Sequence, residues 1–186
     1  MHFRKTAGLL FAGVLAMCFT VAAAPAAHAD IVPPPPDGWA ELFLPFNNPG
    51  NPKCADVPSG TTRPGTFLQV FHCHGYDSHG DPQRFRFIPL GDGTYWIQNL
   101  ASRLCIESDV QGIEVQQDDC RATDRFRWQF LPTPINPDAF QLRNIYFNCL
   151  GVQNVPVQDH DRLKLRRCQD SSVLTVELQR MLWMLG

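Results

Sequence analysis

The chain has no Cys-x-x-Cys pair, no Gly-x-Ser-x-Gly element and no glycine-rich phosphate loop. The first absence removes the usual spacing of zinc and thioredoxin-like redox sites. The second and third remove the commonest serine-hydrolase and nucleotide-binding signatures. Beyond residue 29 no apolar run is long enough to span a bilayer. Charge of either sign is scarce in surplus: 16 Lys and Arg against 18 Asp and Glu leave a net charge of −2. That balance provides no electrostatic footprint for nucleic acid or for an anionic membrane surface. Helical periodicity is missing as well. In its place stand short alternating apolar runs separated by Gly and Pro, which predict an all-β fold.

The N-terminus is different. Arg4 and Lys5 precede the apolar run "GLLFAGVLAMCFTVAAA", and "AHA" at Ala27 to Ala29 has the small-x-small form of a cleavage site. Residues 1–29 therefore read as a secretory signal peptide, and the protein is expected to be secreted. Cys18 follows Met17, where lipid attachment would want a small residue. Cleavage after Ala29 leaves 186 − 29 = 157 residues, enough for one domain. It also removes Arg4 and Lys5, taking the net charge from −2 to −4. "IVPPPPDGW" then predicts an extended polyproline arm over residues 30–40, with the folded domain over 41–186.

Without Cys18, six of the seven cysteines remain: Cys54, Cys73, Cys105, Cys120, Cys149 and Cys168. An even number in an exported chain reads as disulfides, with 15 possible pairings for six. The sequence repeats, and this narrows the choice. "PKCADV", "SRLCIES" and "FNCLGV" recur at intervals of 51 and 44 residues, and each Cys has a second one 19, 15 and 19 positions on. The threefold period favours Cys54–Cys73, Cys105–Cys120 and Cys149–Cys168, each worth very roughly 3 kcal/mol in the chain-entropy model. Each second Cys closes an alternating strand, "FLQVFHC", "IEVQQDDC" and "RLKLRRC". In the first, Leu68 and Val70 share one face while Gln69 and Phe71 share the other. Three repeats of about 45 residues, each with roughly four strands, suggest a single β-trefoil.

The first repeat carries a family resemblance. "KCADV", "LQVFHC" and "PQRFRF" resemble the repeat of the ricin B-type lectins: Cys with Asp two residues later, then Gln-x-aromatic-x-Cys, then Gln-x-Trp. Phe85 replaces the Trp of the last element. In the second repeat "FRWQF" keeps Trp128 but has Phe126 in place of the Gln, and "LTVEL" in the third keeps only the apolar alternation. The resemblance spans about Leu42 to Leu178. "FRFIPLGDGTYWIQNLASRLCIES" is also similar to the trefoil A and C subunits of cytolethal distending toxins, which are exported and have proline-rich N-terminal segments.

The lectin resemblance implies a sugar site built from Asp56 as carboxylate, Phe71 as aromatic platform, and Gln69 and Gln83 as polar partners. Pro82 stands where the family usually has Asn, which removes one hydrogen bond. The second repeat offers Glu107 and Gln116 but Asp118 in place of the aromatic; the third offers Gly151, Lys164 and Arg166. Both are expected to be dead for sugar. His72 and His74 have a usable metal spacing, but Cys73 is expected in a disulfide and only Asp77 or Asp81 stands near, so neither metal nor cofactor is expected. Adjacent Asp118 and Asp119 would point to opposite strand faces and make no acid/base pair, so no enzyme activity is expected. The reading is a secreted carbohydrate-binding module with one weak site, binding in the millimolar to tens-of-micromolar range. The alternative is a non-catalytic trefoil that binds a partner protein, as in toxin delivery. The apolar "RMLWMLG" is expected to close the trefoil against "ELFLPF"; a docking surface is the alternative.

Overall fold

The computed structural model describes residues 38–44, 52–74, 78–108, 113–132, 139–154, 156–168 and 175–177. Residues 1–29, expected as a signal peptide, the first part of the expected arm (30–37) and "RMLWMLG" lie outside the described residues. Among the described residues there are fourteen strand segments, three 3-10 turns and no α-helix. No helix there is long and apolar enough to cross a membrane.

The segments fall into three sets of four strands. The first repeat has β1 (Ala40–Glu41) and β2 (Phe43–Leu44), β3 (Lys53–Asp56), β4 (Thr66–Phe67) and β5 (Gln69–His72), then β6 (Arg84–Pro89). The second has β7 (Tyr95–Asn99), β8 (Cys105–Ser108), β9 (Val115–Asp118) and β10 (Trp128–Pro132). The third has β11 (Ala139–Asn144), β12 (Asn148–Val152), β13 (Leu163–Arg167) and β14 (Thr175–Glu177). Two strands of the first repeat are each split by one buried leucine, Leu42 or Leu68.

First and fourth strands form the barrel. β1 pairs with β6, β6 with β7, β7 with β10 through Tyr95 and Trp128, β10 with β11, and β11 with β14. β14 lies against β2, which brings the ring back towards its start. Period-2 alternation fills the interior: Phe85 and Phe87 from β6, Trp128 and Phe130 from β10, and Phe140 and Leu142 from β11 are buried. The Phe130 ring meets Phe87, Tyr95 and Phe140 with centroids 4.9, 5.0 and 5.8 Å away. The Trp128 indole N–H donates to the Ile106 carbonyl at 3.1 Å, so this large ring is buried with its polar atom satisfied.

Second and third strands form the hairpins β3–β5, β8–β9 and β12–β13, which cap the barrel. Their third strands converge on buried Leu68, Val115 and Leu163. Leu68 N–H donates to Val115 O at 2.9 Å, and Leu163 N–H to Leu68 O at 3.0 Å. Leu68 thus spends its backbone on the neighbouring repeats, and this breaks its own strand. The disulfides join Cys54–Cys73, Cys105–Cys120 and Cys149–Cys168, one per repeat as the period implies.

The start of the fold differs from the boundary read at residue 41. Ala40 is already buried and paired with Phe85. Before it, the Trp39 ring meets the guanidinium groups of Arg86 and Arg103 at 5.1 and 5.2 Å, cation–π contacts that fasten the entering chain to the barrel.

Candidate functional site

Asp56 ends β3 and lies opposite Gln69 of β5 in the antiparallel register. Leu68 and Val70 are buried in the core, so alternation sends Gln69 and Phe71 the other way, and both are half-buried. Gln69 Nε2 donates to Asp56 Oδ2 at 2.8 Å. Asp56 as a whole is only 6% exposed. Burial lifts its pKa above the ordinary aspartate range, while hydrogen bonds from Gln69 and Gln83 and the nearby His74 and His160 act in the opposite direction. An oriented, partly dehydrated carboxylate is a strong acceptor for hydroxyl groups.

Phe71 stands opposite Cys54, next to this pair. Its ring has imidazoles around it, with centroids at 4.1 Å for His72, 5.6 Å for His74 and 5.0 Å for His160. Asp56, Gly60, Gln69, Phe71, Pro82 and His160 line a hollow of about 470 Å³. The tight turn Pro58–Gly60 forms one lip. Gly60 has φ +60°, and a Cβ there would lie 3.0 Å from Pro82 Cγ. Pro82 supplies the wall. Its carbonyl accepts from Val57 N–H at 3.1 Å and from Asn99 Nδ2 at 2.8 Å.

Gln83 has a different place from the one its motif suggests. It is fully buried. Its Oε1 accepts from His74 N–H at 2.9 Å and its Nε2 donates to His72 O at 3.0 Å, so the amide clamps the end of β5 behind the carboxylate. It supports Asp56 and has no surface to offer a ligand. The motif records the residue type at this position and not the direction in which its amide is used.

A loop of the third repeat completes the site. His160 Nδ1 lies 3.2 Å from Gln69 Oε1, so Gln69 is held between Asp56 and His160. His160 N–H donates to Val70 O and Val70 N–H to Asp161 O, both at 2.8 Å, and these bonds fix the loop along β5. Asp159 pairs with Lys53 and, at 3.5 Å, with His72 Nδ1. Partial burial would raise the Asp159 pKa, but Lys53 and His72 together bring it below the usual carboxylate range. Within-repeat motifs did not find these residues. The polar run "QDHDR" directly before the alternating "LKL" is the signal available, because a trefoil places that run against another repeat.

The second repeat preserves the carboxylate and amide, with Gln116 Nε2 donating to Glu107 Oε2 at 2.7 Å. Glu107 also faces Arg125 at 3.5 Å, and Asp118 faces Arg121 at 3.8 Å. In the third repeat Gly151 stands opposite Lys164, and Arg166 donates to Val152 O and Gln153 O at 3.0 and 2.6 Å. Among the described residues, Glu41, Cys54 and Cys73 make the one grouping of three metal-ligand side chains, and both sulfurs are bonded to each other. The His72 and His74 rings are 4.6 Å apart, and no third ligand among the described residues completes such a group.

Residues 81–165 match the family described as ricin-type beta-trefoil lectin domain-like. No curated protein matches the chain. Among solved structures it is similar to the designed threefold-symmetric protein ThreeFoil, with 21% identity over 76% of this chain and 99% of that one and a TM-score of 0.62. The cytolethal distending toxin of Haemophilus ducreyi matches with 14% identity over 79% and 86% of the two chains, at a TM-score of 0.58. A Macrolepiota procera ricin B-like lectin in complex with lactose matches with 13% identity over 74% and 94%, at 0.56. The trefoil and the lectin-like resemblance read from the repeats both hold; at these identities the three structures speak for the fold.

Proposed function

We propose that this ricin B-like trefoil is an exported, non-catalytic module that binds carbohydrate through one weak site in its first repeat. The observation that carries this reading is the hydrogen-bonded Asp56–Gln69 pair beside Phe71 at the mouth of a hollow. Two adjacent sugar hydroxyls donate to the carboxylate, and the apolar C–H face of the ring packs on Phe71. Gln69 and Gln83 fix the carboxylate in advance, so little ordering is left for binding. The lactose complex of the Macrolepiota lectin supports sugar as the ligand class. A single shallow site predicts a dissociation constant on the order of millimolar to tens of micromolar, raised in effect by multivalent display. The test is a multivalent glycan array. Wild type should bind a defined set of glycans and Phe71→Ala should bind none of them. Equal binding by both, with the variant folded, would move the site elsewhere. Export is tested by N-terminal sequencing of the protein recovered from medium, where Asp30 is the expected first residue.

A second reading is a protein-docking trefoil, as the toxin similarity suggests. The feature that favours it is the turn between β11 and β12, where Tyr146 is exposed and Phe147 is 73% exposed with φ +65°. Failure of all glycans to bind the multivalent protein would make this the better reading.

A further inference from the structure

The hollow at Asp56 continues past Gln69 and His160 into a second one of about 430 Å³, which those two residues also line. Its far side is built differently. Arg63, Thr66 and Phe67 come from the chain leading into β5, and Arg162 comes from the third repeat. The Arg162 guanidinium lies over the Phe67 ring, 4.6 Å from its centroid, and donates to Glu114 Oε1 at 2.9 Å. Its side chain remains 48% exposed. Arg63 is exposed and has no ion pair among the described residues. Two guanidinium groups against one carboxylate leave positive charge in this hollow, within a chain whose net charge is −2.

We propose that this second hollow is a subsite for the oxyanion of an acidic sugar, a carboxylate or sulfate carried next to the sugar unit held at Asp56. The inference rests on the carbohydrate reading above. A guanidinium fork matches both kinds of oxyanion, and Arg162 is already oriented by Phe67 and Glu114. The two hollows have opposite preferences. Asp56 repels an anionic group and accepts hydroxyls, whereas Arg63 and Arg162 attract the anion. A glycan with a neutral unit and an acidic neighbour therefore fits the groove in one direction only.

The experiment is an array of neutral oligosaccharides ending in each common hexose, alongside the same oligosaccharides capped with a uronate, a sialate or a sulfate. Capped forms should bind about ten-fold more tightly than their parents, with the difference shrinking as salt is raised. Arg63→Gln should bring the capped-to-neutral affinity ratio close to one, and Arg63→Glu should invert it. Sialate and uronate arms against the sulfate arm identify the source of the oxyanion. If neutral and capped forms bind wild type equally and Arg63→Glu leaves the ratio unmoved, the subsite is wrong and the sugar reading stands. If capped forms bind and respond to Arg63→Glu but not to Asp56→Asn, the subsite stands and the Asp56 site is wrong. Binding of no glycan removes both.

Discussion

The first and second repeats present the same pair of groups in the same register. Asp56 faces Gln69 and Glu107 faces Gln116, each amide within 2.8 Å of its carboxylate. They differ in the third position. Phe71 stands on the strand in the first repeat and Asp118 in the second. They differ also in how the carboxylate is used. Arg125 approaches Glu107 and Arg121 approaches Asp118, so the second repeat answers its acids with its own cations. In the proposed reading, the carboxylate–amide pair alone does not make a sugar site. It is a feature of the hairpin, and what stands beside it decides whether a ligand can use it.

The sharpest way to break this comparison is to remove each carboxylate in turn. Asp56→Asn should abolish detectable glycan binding, since hydrogen bonds to a charged group are worth roughly 1.5–3 kcal/mol and a millimolar ligand only about 4 in total. Glu107→Gln should leave the glycan profile as it is. The melting temperature of Asp56→Asn should be unchanged or higher, because burial disfavours the ionised carboxyl in the fold. Binding titrations paired with thermal melts check both statements; parallel loss of stability and affinity would make Asp56 a structural residue.

Acid should do reversibly what this substitution does permanently. The Asp56 pKa is raised in the folded protein, so the stability it contributes is full below the unfolded aspartate pKa and is lost as pH rises through the folded value. Sugar affinity runs the other way and should fall as pH drops through that same raised pKa. Affinity and stability measured across the acid range should therefore diverge, and an affinity flat down to the ordinary aspartate range would remove the carboxylate from the site.

A smaller effect is expected at the lip. Gly60→Ala places a Cβ at positive φ and 3.0 Å from Pro82, at a cost of about 1–2 kcal/mol in stability by denaturant titration. The least effect should come from building the missing part into the second repeat. Asp118→Phe with Arg125→Ala supplies an aromatic face worth about 0.5–1.5 kcal/mol and frees Glu107. A second equivalent of weak binding by NMR titration is the expected result; none would show that the Phe71 site depends on more than these three parts.

Much of this was legible in the chain. The period paired the cysteines, and alternation in "LQVFHC" turned Leu68 and Val70 inward and Gln69 and Phe71 outward. Three things were not. Gln83 matches a motif by type, but which way its amide points depends on the backbone of β5. Pro82 reads as a lost hydrogen bond, whereas in space it forms a wall against Gly60. His160 and Arg162 lie about ninety residues from Gln69, and no local pattern connects them. A search within one repeat cannot reach these residues, because the third repeat supplies them across the fold.

The strap from the third repeat has a consequence for timing. Gln69 meets a partner 91 residues later and Lys53 one 106 residues later. Such contacts form late, because the entropy of closing a long loop must be overcome before they contribute. During synthesis the first repeat leaves the ribosome long before the residues that brace its pocket. The site is therefore assembled last although its core residues are made first, and a chain interrupted before Asp159 would carry the motif without the pocket.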